Sequence, residues 1–199
     1  EPDVWGTLTK RDSVICQDND FEVFIDPDGD TNHYMEFEIN PLNTVWDLYL
    51  PKPYNKGGKA DHDWDFIGVK HAVQIDGTVN CSHDTDHGWT VEMAIPYKTL
   101  SFNPANDIWG INFSRKIART NETIGWVSRT RAQNPGVAGV AIGLGGREQG
   151  RGLDVVPSYS MRESKDYPSG ETTTDSEPSL DVFYKFTPSM TGVLTLNTD

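Results

Sequence analysis

Short segments in which hydrophobic and polar residues alternate run through most of the chain. The clearest are residues 21–26 (FEVFID), 33–40 (HYMEFEIN), 44–50 (TVWDLYL), 69–75 (VKHAVQI), 88–95 (GWTVEMAI) and 108–117 (IWGINFSRKI). Because strand side chains alternate between two faces, this period of two predicts β-strands. Turn residues such as DPDGD and PLN separate them, as in an antiparallel meander. No segment has helical periodicity of useful length, so we expect an all-β fold, an antiparallel β-sandwich of jelly-roll type.

Alternation also assigns side chains to faces. In residues 33–40, Met35, Phe37 and Ile39 share one face, which we interpret as the core face. The polar side chains that the same rule places opposite the apolar faces of their strands are Glu36, Glu38, Asn40, Glu92 and Asn112. Each fits an ordinary solvated outer face, and as a group they also fit a polar binding surface.

Residues 51–66 (PKPYNKGGKADHDWDF) are polar and rich in Pro and Gly, which indicates a long loop or insertion. Long loops in compact domains are often functional. Trp64 lies in this loop, where folding does not call for an aromatic residue. Further along, PYKTLSF has the composition of a single helical turn between strands.

From residue 132 the composition changes. The segment 132–152 (AQNPGVAGVAIGLGGREQGRG) is Gly-rich and poor in large apolar residues, so we expect a connector between a module at 1–131 and a second β domain at 153–199. Alternation resumes at 153–162, 179–188 and 191–199, with an acidic Ser/Thr-rich turn between the first two. The apolar side chains of 179–188 would form one face, which fits either an ordinary sheet edge or the opening strands of an outer-membrane barrel.

Composition narrows the choice of partner. Seventeen Lys and Arg against thirty Asp and Glu give a net charge of −13, which repels phosphate backbones and excludes nucleic acid as a first partner. Cations and neutral ligands fit better. Cys16 and Cys81 could form one bridge or remain free thiols. No apolar run approaches the roughly 20 residues of a membrane helix, and no cleavable signal pattern opens the chain. It begins with Glu1, so we expect a processed or partial chain.

Two stretches resemble known families. The run DNDFEVFIDPDGDTNHYMEFEINPLNTVWDLYLPKPY, followed by GWTVEMAIPYKTL and WGINFSRKI, resembles the family 9 carbohydrate-binding modules, β-sandwiches of extracellular glycan-degrading enzymes. This resemblance covers about residues 1–130. The later GLGGREQGRGLDVVPSYS and DVFYKFTPSMTGVLTLNTD are similar to the start of the barrel domain that follows such a module in bacterial surface proteins of unknown function.

The resemblance implies a function and a location. We expect non-catalytic binding of an oligo- or polysaccharide that supports glycan capture or degradation. The location it implies is the bacterial outer membrane, the periplasm or the extracellular space. Members of the family carry further strands before EPDVWGTLTKRDS and a barrel that continues well beyond Asp199, so the chain resembles a piece cut at both ends. The rest of that barrel, or another surface protein, is then an expected partner.

The acidic run DNDFEVFIDPDGD contains the candidate metal ligands. Asp26, Asp28 and Asp30 alternate around Pro27 and Gly29, in the oxygen-rich type of turn that hard cations favour. The run lacks the glutamate and flanking helices of a helix-loop-helix calcium site. Asp and Gly also dominate ordinary turns, so a bound cation and a plain acidic turn both fit. Family 9 modules carry structural calcium, and the resemblance therefore implies calcium here. The residues just before the strand, Asp18 and Asp20, are further candidate ligands or strand-start residues.

Sugar recognition requires aromatic faces for the apolar side of a pyranose and polar groups for its hydroxyls. The aromatic candidates are Trp46 and Trp64, and we assign Trp89 to the core by alternation. The polar candidates are the five side chains placed opposite the apolar faces, Glu36, Glu38, Asn40, Glu92 and Asn112. Family 9 modules hold a glycan end between two aromatic side chains. By resemblance, Trp46 and Trp64 would provide this pair.

Three other functions remain open. Glu36 and Glu38 share a face about 7 Å apart, a spacing that two glycosidase carboxylates could use, although any acidic strand has it. A structural domain that plugs or caps a barrel would have a filled concave face without aromatic residues. A haem-binding sandwich would need axial ligands, for which the available residues are Met35, Met93 and His71. His83 and His87, in CSHDTDHG, would pair only on a helix, and the segment has the composition of a loop.

Overall fold

The computed structural model describes residues 2–81, 83, 85–127, 135–147, 152–165, 170–187 and 190–197. The chain divides into two compact units, Glu1–Glu148 and Gln149–Asp199. Within the described part, regular structure consists of strands and single 3-10 turns. The prediction of an all-β, antiparallel fold is confirmed.

The first unit contains eight of the described strands. These are β1 (Asp20–Asp26), β2 (Tyr34–Ile39), β3 (Val45–Leu50), β4 (Lys70–Asp76), β5 (Gly88–Ala94), β6 (Ile108–Ile117), β7 (Glu122–Gly125) and β8 (Gly139–Ile142). The main sheet has the order β3-β2-β1-β6-β7, and β8 also pairs with β6. Strands β4 and β5 form a separate antiparallel hairpin. The predicted strands lie within one or two residues of the observed bounds, and PYKTLSF contains the 3-10 turn Tyr97–Thr99.

The core lies between the main sheet and the hairpin, as in a sandwich. The main sheet contributes Val23, Ile25, Met35, Phe37, Ile39, Val45 and Trp109 to the buried cluster. The hairpin packs Val73, Val91 and Met93 against it from the other side. The prediction that Met35, Phe37 and Ile39 face the core is confirmed.

Part of the predicted connector belongs to the first sheet. Residues Gly139–Ile142 form β8 and pair with Ile108–Ile111 of β6. A Cβ atom on Gly139 would lie 2.3 Å from the Trp126 ring, so this glycine gives space to an indole. The small residues of this stretch therefore serve close packing as well as connection. Residues 132–134 and 148–151 of the predicted connector lie outside the described residues.

The second unit is a three-stranded antiparallel sheet of order β11-β10-β9. Its strands are β9 (Leu153–Lys165), β10 (Thr172–Thr187) and β11 (Met190–Leu196). The acidic Ser/Thr-rich segment that we predicted as a turn is largely strand, because residues 172–178 continue the pairing with β9. Threonine is a good strand former, and the turn prediction gave too much weight to polarity.

Candidate binding cleft and carboxylate cluster

Backbone N–H groups donate hydrogen bonds to the carboxylates of the acidic turn after β1. Asp26 Oδ2 accepts from the Thr31 backbone N–H at 2.9 Å, and Asp28 Oδ1 accepts from that of Asn103 at 2.7 Å. Asp30 Oδ1 accepts from the Asn32 N–H at 2.8 Å. Burial raises the pKa of Asp26, and its Oδ1 has no hydrogen-bond partner among the residues described. Within that same part of the chain, the three aspartates are not grouped closely enough to present one oxygen each to a single ion.

Asp18 stabilises the start of the chain. Its Oδ2 accepts from the backbone N–H groups of Thr7 and Leu8 at 2.8 and 2.9 Å, and its Oδ1 from the Thr7 hydroxyl at 2.8 Å. Asn40 Nδ2 donates to the Leu8 carbonyl at 2.8 Å, and Asn40 Oδ1 accepts from the N–H of Thr44 at 2.9 Å. Both side chains are buried. The hydrogen bonds of both side chains fit a structural role. Alternation had placed Asn40 on a polar outer face, but it does not face solvent.

The two aromatic candidates lie on opposite faces of the fold. Trp64 is half-buried against the core, and its ring meets that of Phe66 edge-on at 4.6 Å. The prediction of a loop tryptophan without a packing role was wrong, because the end of the loop returns to the sheet. Trp46 stacks on His62, with ring centroids 5.5 Å apart and planes 10° apart. The two rings are therefore not brought together on one surface.

Four acidic side chains meet on the face of the main sheet opposite the core. We call Asp20, Glu22, Glu36 and Glu38 the carboxylate cluster. In the strand register Glu22 lies opposite Glu38 on β2 and opposite Ser114 on β6. One carboxylate oxygen each from Asp20, Glu22 and Glu38 lies within 4.8 Å of the others. Glu36 and Glu38 are each 3% exposed, so the prediction of a solvated outer face was wrong.

Burial dominates the electrostatics of this cluster. It raises the pKa of Glu36 well above its ordinary value, and the negative charge of Glu22 adds to the effect. The pKa of Glu38 is raised well above its ordinary value by burial and then by Glu36. The side chain of Glu38 partly opposes the rise in the pKa of Glu36. Burial of several carboxyl groups in one place is thus the main feature of this cluster.

Two segments cover the cluster. The 3-10 turn Ile15–Gln17 brings the half-buried Cys16, whose pKa is raised by burial and then by Asp20 and Glu22. Tyr54, in the 3-10 turn Tyr54–Lys56, has its pKa raised to about 12 by burial and then by Glu36 and Glu38. These segments explain why a strand face that alternation marks as polar is closed to solvent. Cys16 and Cys81 are both free thiols.

Neighbouring polar groups on β6 complete this face. Asn112 Oδ1 accepts from the Val127 backbone N–H at 3.1 Å. Among the described residues, Asn112 Nδ2, Ser114 Oγ and Glu38 Oε2 are buried and lack hydrogen-bond partners. Buried polar groups are normally paired, so these three atoms require an explanation.

A second acidic group has its own cation. Asp12, Asp47 and Asp65 could also present three oxygens to an ion. Arg11 Nη2 contacts Asp47 Oδ1 and Asp65 Oδ1 at 2.6 Å each. Since a guanidinium occupies this group, it needs no metal.

An open cleft lies at one end of the sandwich. It has a volume of about 410 Å³, and its lining consists of Gln74, Ile75, Asp76, His87, Gly88, Trp89, Thr90 and Arg115. The Arg115 guanidinium lies 5.8 Å from the centre of the Trp89 ring. Trp89 Nε1 is buried without a hydrogen-bond partner within the described chain. The Arg115 guanidinium and the Trp89 indole thus meet beside this space, whereas Gln74 and Asp76, which also line it, alternate to the face of the hairpin opposite Trp89.

Sequence reasoning missed this cleft. Alternation correctly placed Trp89 on the same face of β5 as Val91 and Met93, but Trp89 is half-buried beside the cleft and is not part of the core cluster to which we assigned it. The space beside it depends on how the hairpin ends against β6. Glu92 lies three residues further along β5 and lines a different depression, of about 500 Å³, with Lys70 and His71. It is exposed, and the structure does not bring it to the carboxylate cluster.

The three residues proposed as haem ligands belong to the core region. Met35 is buried and Met93 packs against the same cluster. His71 Nδ1 is 2.8 Å from Asn43 Oδ1, and burial followed by the charge of Arg11 lowers its pKa. These contacts give no support to a haem pocket.

Comparison with protein-family models, with curated proteins and with solved structures finds no match to this chain. Within the described residues, no helix has the length and apolar composition needed to span a bilayer. Function must therefore be argued from the cleft, the cluster and the two sheets themselves.

Proposed function

We propose that the first unit is a non-catalytic carbohydrate-binding module, and that the cleft at Trp89 is its sugar site. The observation that carries the proposal is the contact of Arg115 with the Trp89 ring beside one space of about 410 Å³, whose lining also includes Gln74 and Asp76. This volume lies in the range of about 300–1,000 Å³ typical of small-ligand sites. An aromatic ring beside hydrogen-bonding groups suits a pyranose, which has an apolar face and a rim of hydroxyls.

The chemistry of the lining supports a neutral, hydroxyl-rich ligand. Arg115 supplies donors, Asp76 supplies acceptors, and Gln74 supplies both. Asp76 Oδ2 lies 3.3 Å from His87 Nδ1, so an acidic and a basic side chain meet at the rim of the cleft. The sequence resemblance to family 9 modules agrees with this proposal. The earlier candidates Trp46, Trp64, Glu36 and Glu38 have their own packing and are not used in it.

Binding is tested by isothermal titration of the full chain against a panel of oligosaccharides and soluble polysaccharides. Trp89→Leu removes the aromatic ring and keeps an apolar side chain, and Gln74→Ala removes an exposed amide of the lining. The loss of one hydrogen bond of about 1 kcal/mol implies at least about fivefold weaker binding for Gln74→Ala, and the loss of the aromatic ring should weaken binding at least as much. Glu92→Gln, on the same hairpin but outside the cleft, is the matched control and should bind normally.

Two results would contradict this function. One is the absence of binding across the panel by the folded chain. The other is release of reducing sugar that disappears in Glu36→Gln, since that would identify the carboxyl pair as a catalytic site.

We further propose that the second unit is the first part of an outer-membrane β-barrel. Paired residues on one face of its sheet are apolar, namely Leu153 with Tyr184, Val155 with Val182, and Leu180 with Leu196. The other face carries Asp154, Ser158, Ser160, Glu177, Asp181 and Thr195, together with Val156, Phe183 and Val193. The alternate apolar positions run from Leu153 to Met161, close to the roughly 9–11 residues of a membrane-spanning strand.

An environment-sensitive fluorophore tests this assignment. In a Cys16→Ser, Cys81→Ser background, the label is attached at Tyr159→Cys or at its neighbour Ser158→Cys, which points to the opposite face. The emission at position 159 should shift to the blue in detergent micelles, and that at position 158 should shift much less. Equal responses at both positions would contradict a lipid-facing surface.

A further inference from the structure

We propose that Asp20, Glu22 and Glu38 form a site for a divalent cation of calcium type on the closed face of the main sheet. The site is separate from the acidic turn after β1 and from the cleft at Trp89. It does not depend on the proposed carbohydrate binding.

The register of the strands places the ligands. Glu22 is the central residue of a row across three strands, with Glu38 on one side and Ser114 on the other. Asp20 is two residues before Glu22 on the same face of β1. Calcium takes oxygen ligands at about 2.3–2.6 Å, so two of its ligands are separated by at most about 5 Å. The 4.8 Å within which the three carboxylate oxygens lie fits that requirement.

Burial and charge make an empty site unfavourable. Asp20 is fully buried and Glu38 is 3% exposed, and an ionised carboxylate removed from water requires a compensating partner. Lys116 donates its backbone N–H to Asp20 Oδ1 at 3.0 Å, while its ammonium binds Asn121 Oδ1.

A second observation points to a ligand at the same place. Ser114 Oγ is buried on a residue that is 2% exposed, and it has no hydrogen-bond partner in the described part of the chain. Its strand position directly faces Glu22. Glu38 Oε2 is also buried and has no hydrogen-bond partner among the described residues. A cation would engage the carboxylate oxygen, and the hydroxyl could bind the ion or one of its waters.

The ligand set favours calcium over other common ions. Asp20, Glu22, Glu38 and Ser114 offer oxygen only, which suits hard cations and not zinc or copper. Calcium accepts six to eight ligands in irregular geometry, whereas magnesium requires a nearly ideal octahedron. Three carboxylates from two adjacent strands match the more permissive ion, with backbone carbonyls and water as the remaining ligands.

Calcium titration of the chelator-treated full chain tests the site. We expect the melting temperature to rise with calcium and terbium luminescence to be sensitised by nearby aromatic rings. Glu38→Gln should lower the calcium affinity at least about tenfold, because affinity depends on the number of charged ligands. The exposed Glu92→Gln should stay within about twofold of the parent, and Asp28→Asn reports separately on the acidic turn.

The outcomes separate the alternatives. The proposal is overturned if calcium changes neither melting temperature nor luminescence, if Asp28→Asn alone abolishes the response, or if Glu38→Gln leaves it intact. If circular dichroism shows that Glu38→Gln does not fold, Glu22→Gln and the uncharged change Ser114→Ala are read in the same assay. Loss of the response in folded forms of these variants supports the site, and an undiminished response in them overturns it.

Discussion

Replacement of Asp18 by alanine should destabilise the first unit through lost hydrogen bonds and not through a lost cation. The carboxylate of Asp18 holds the segment Thr7–Leu8 beside the start of β1, and Asn40 Nδ2 also approaches it at 3.3 Å. Alanine would leave two backbone N–H groups, the Thr7 hydroxyl and one amide without this acceptor. The same residue was a candidate metal ligand in the sequence, so the variant tests both interpretations.

The magnitude follows from the contacts. A hydrogen bond to a charged group contributes about 1.5–3 kcal/mol net. Thr7 is exposed, so water can replace part of its share, whereas the Leu8 N–H is half-buried. We therefore expect a loss of about 2–4 kcal/mol in the free energy of unfolding, well below the sum of four independent bonds. Asp18→Asn keeps one acceptor oxygen and should lose about 1–2 kcal/mol.

Urea unfolding followed by tryptophan fluorescence measures this loss. All six tryptophans lie between Trp5 and Trp126, so the signal reports on the first unit alone. The slope of the transition should be unchanged, since the folded surface is the same. The exposed Asp63→Ala serves as the matched control and should stay within about 0.5 kcal/mol of the parent.

Two outcomes would refute the reasoning about Asp18. A loss below about 1 kcal/mol would mean that water replaces the carboxylate with little cost. A loss that appears in calcium and vanishes with a chelator would mean that Asp18 acts as a metal ligand, as the sequence had left open.

The other predictions concern a glycine and a histidine. Gly77→Ala should lower the free energy of unfolding by about 2–5 kcal/mol, because Gly77 has φ +139° and the new Cβ would lie 2.1 Å from Asp86 Oδ1. The control Gly57→Ala has open space around it, and its φ of +77° should lower the free energy of unfolding by about 1 kcal/mol. A normal unfolding midpoint for Gly77→Ala would contradict this. The ring of His71 should titrate below its ordinary pKa in an NMR experiment, because burial and then Arg11 disfavour the proton. The unfolded chain then binds that proton more readily, so this residue's contribution to stability is present above the ordinary histidine pKa and is lost as pH falls through the lower folded value. A His71 pKa at or above the ordinary value would contradict it.

The sequence predicted the strands and the core face because both depend on local periodicity. Residues 108–117 were predicted with the bounds that β6 has, and Met35, Phe37 and Ile39 point to the core as alternation required. Alternation states which side chains share a face, but it cannot state which face another segment covers. This limit explains why Glu36 was expected in solvent.

The remaining differences have the same origin in long-range contacts. Trp64 packs on Phe66 because the loop returns to the sheet, and Gly139 is small because the Trp126 ring lies against it. The cleft at Trp89 requires Arg115 from a strand 26 residues further along the chain. No local pattern in the sequence encodes these contacts. Neither the cleft nor the burial of the carboxylate cluster could therefore be predicted.

The acidic residues divide by what their oxygens contact, and that division predicts where calcium should act. Asp86 accepts from the N–H groups of Val4 and Thr78, and Asp47 from that of Phe66, so each is satisfied by the protein itself. Such carboxylates stabilise the fold equally with or without a cation. Glu38 has a buried oxygen without a hydrogen-bond partner among the described residues. If the net charge of −13 simply attracted cations, calcium would stabilise every variant that keeps most of that charge. A calcium response that depends on Glu38 and is indifferent to Glu92 must instead come from the geometry of one site.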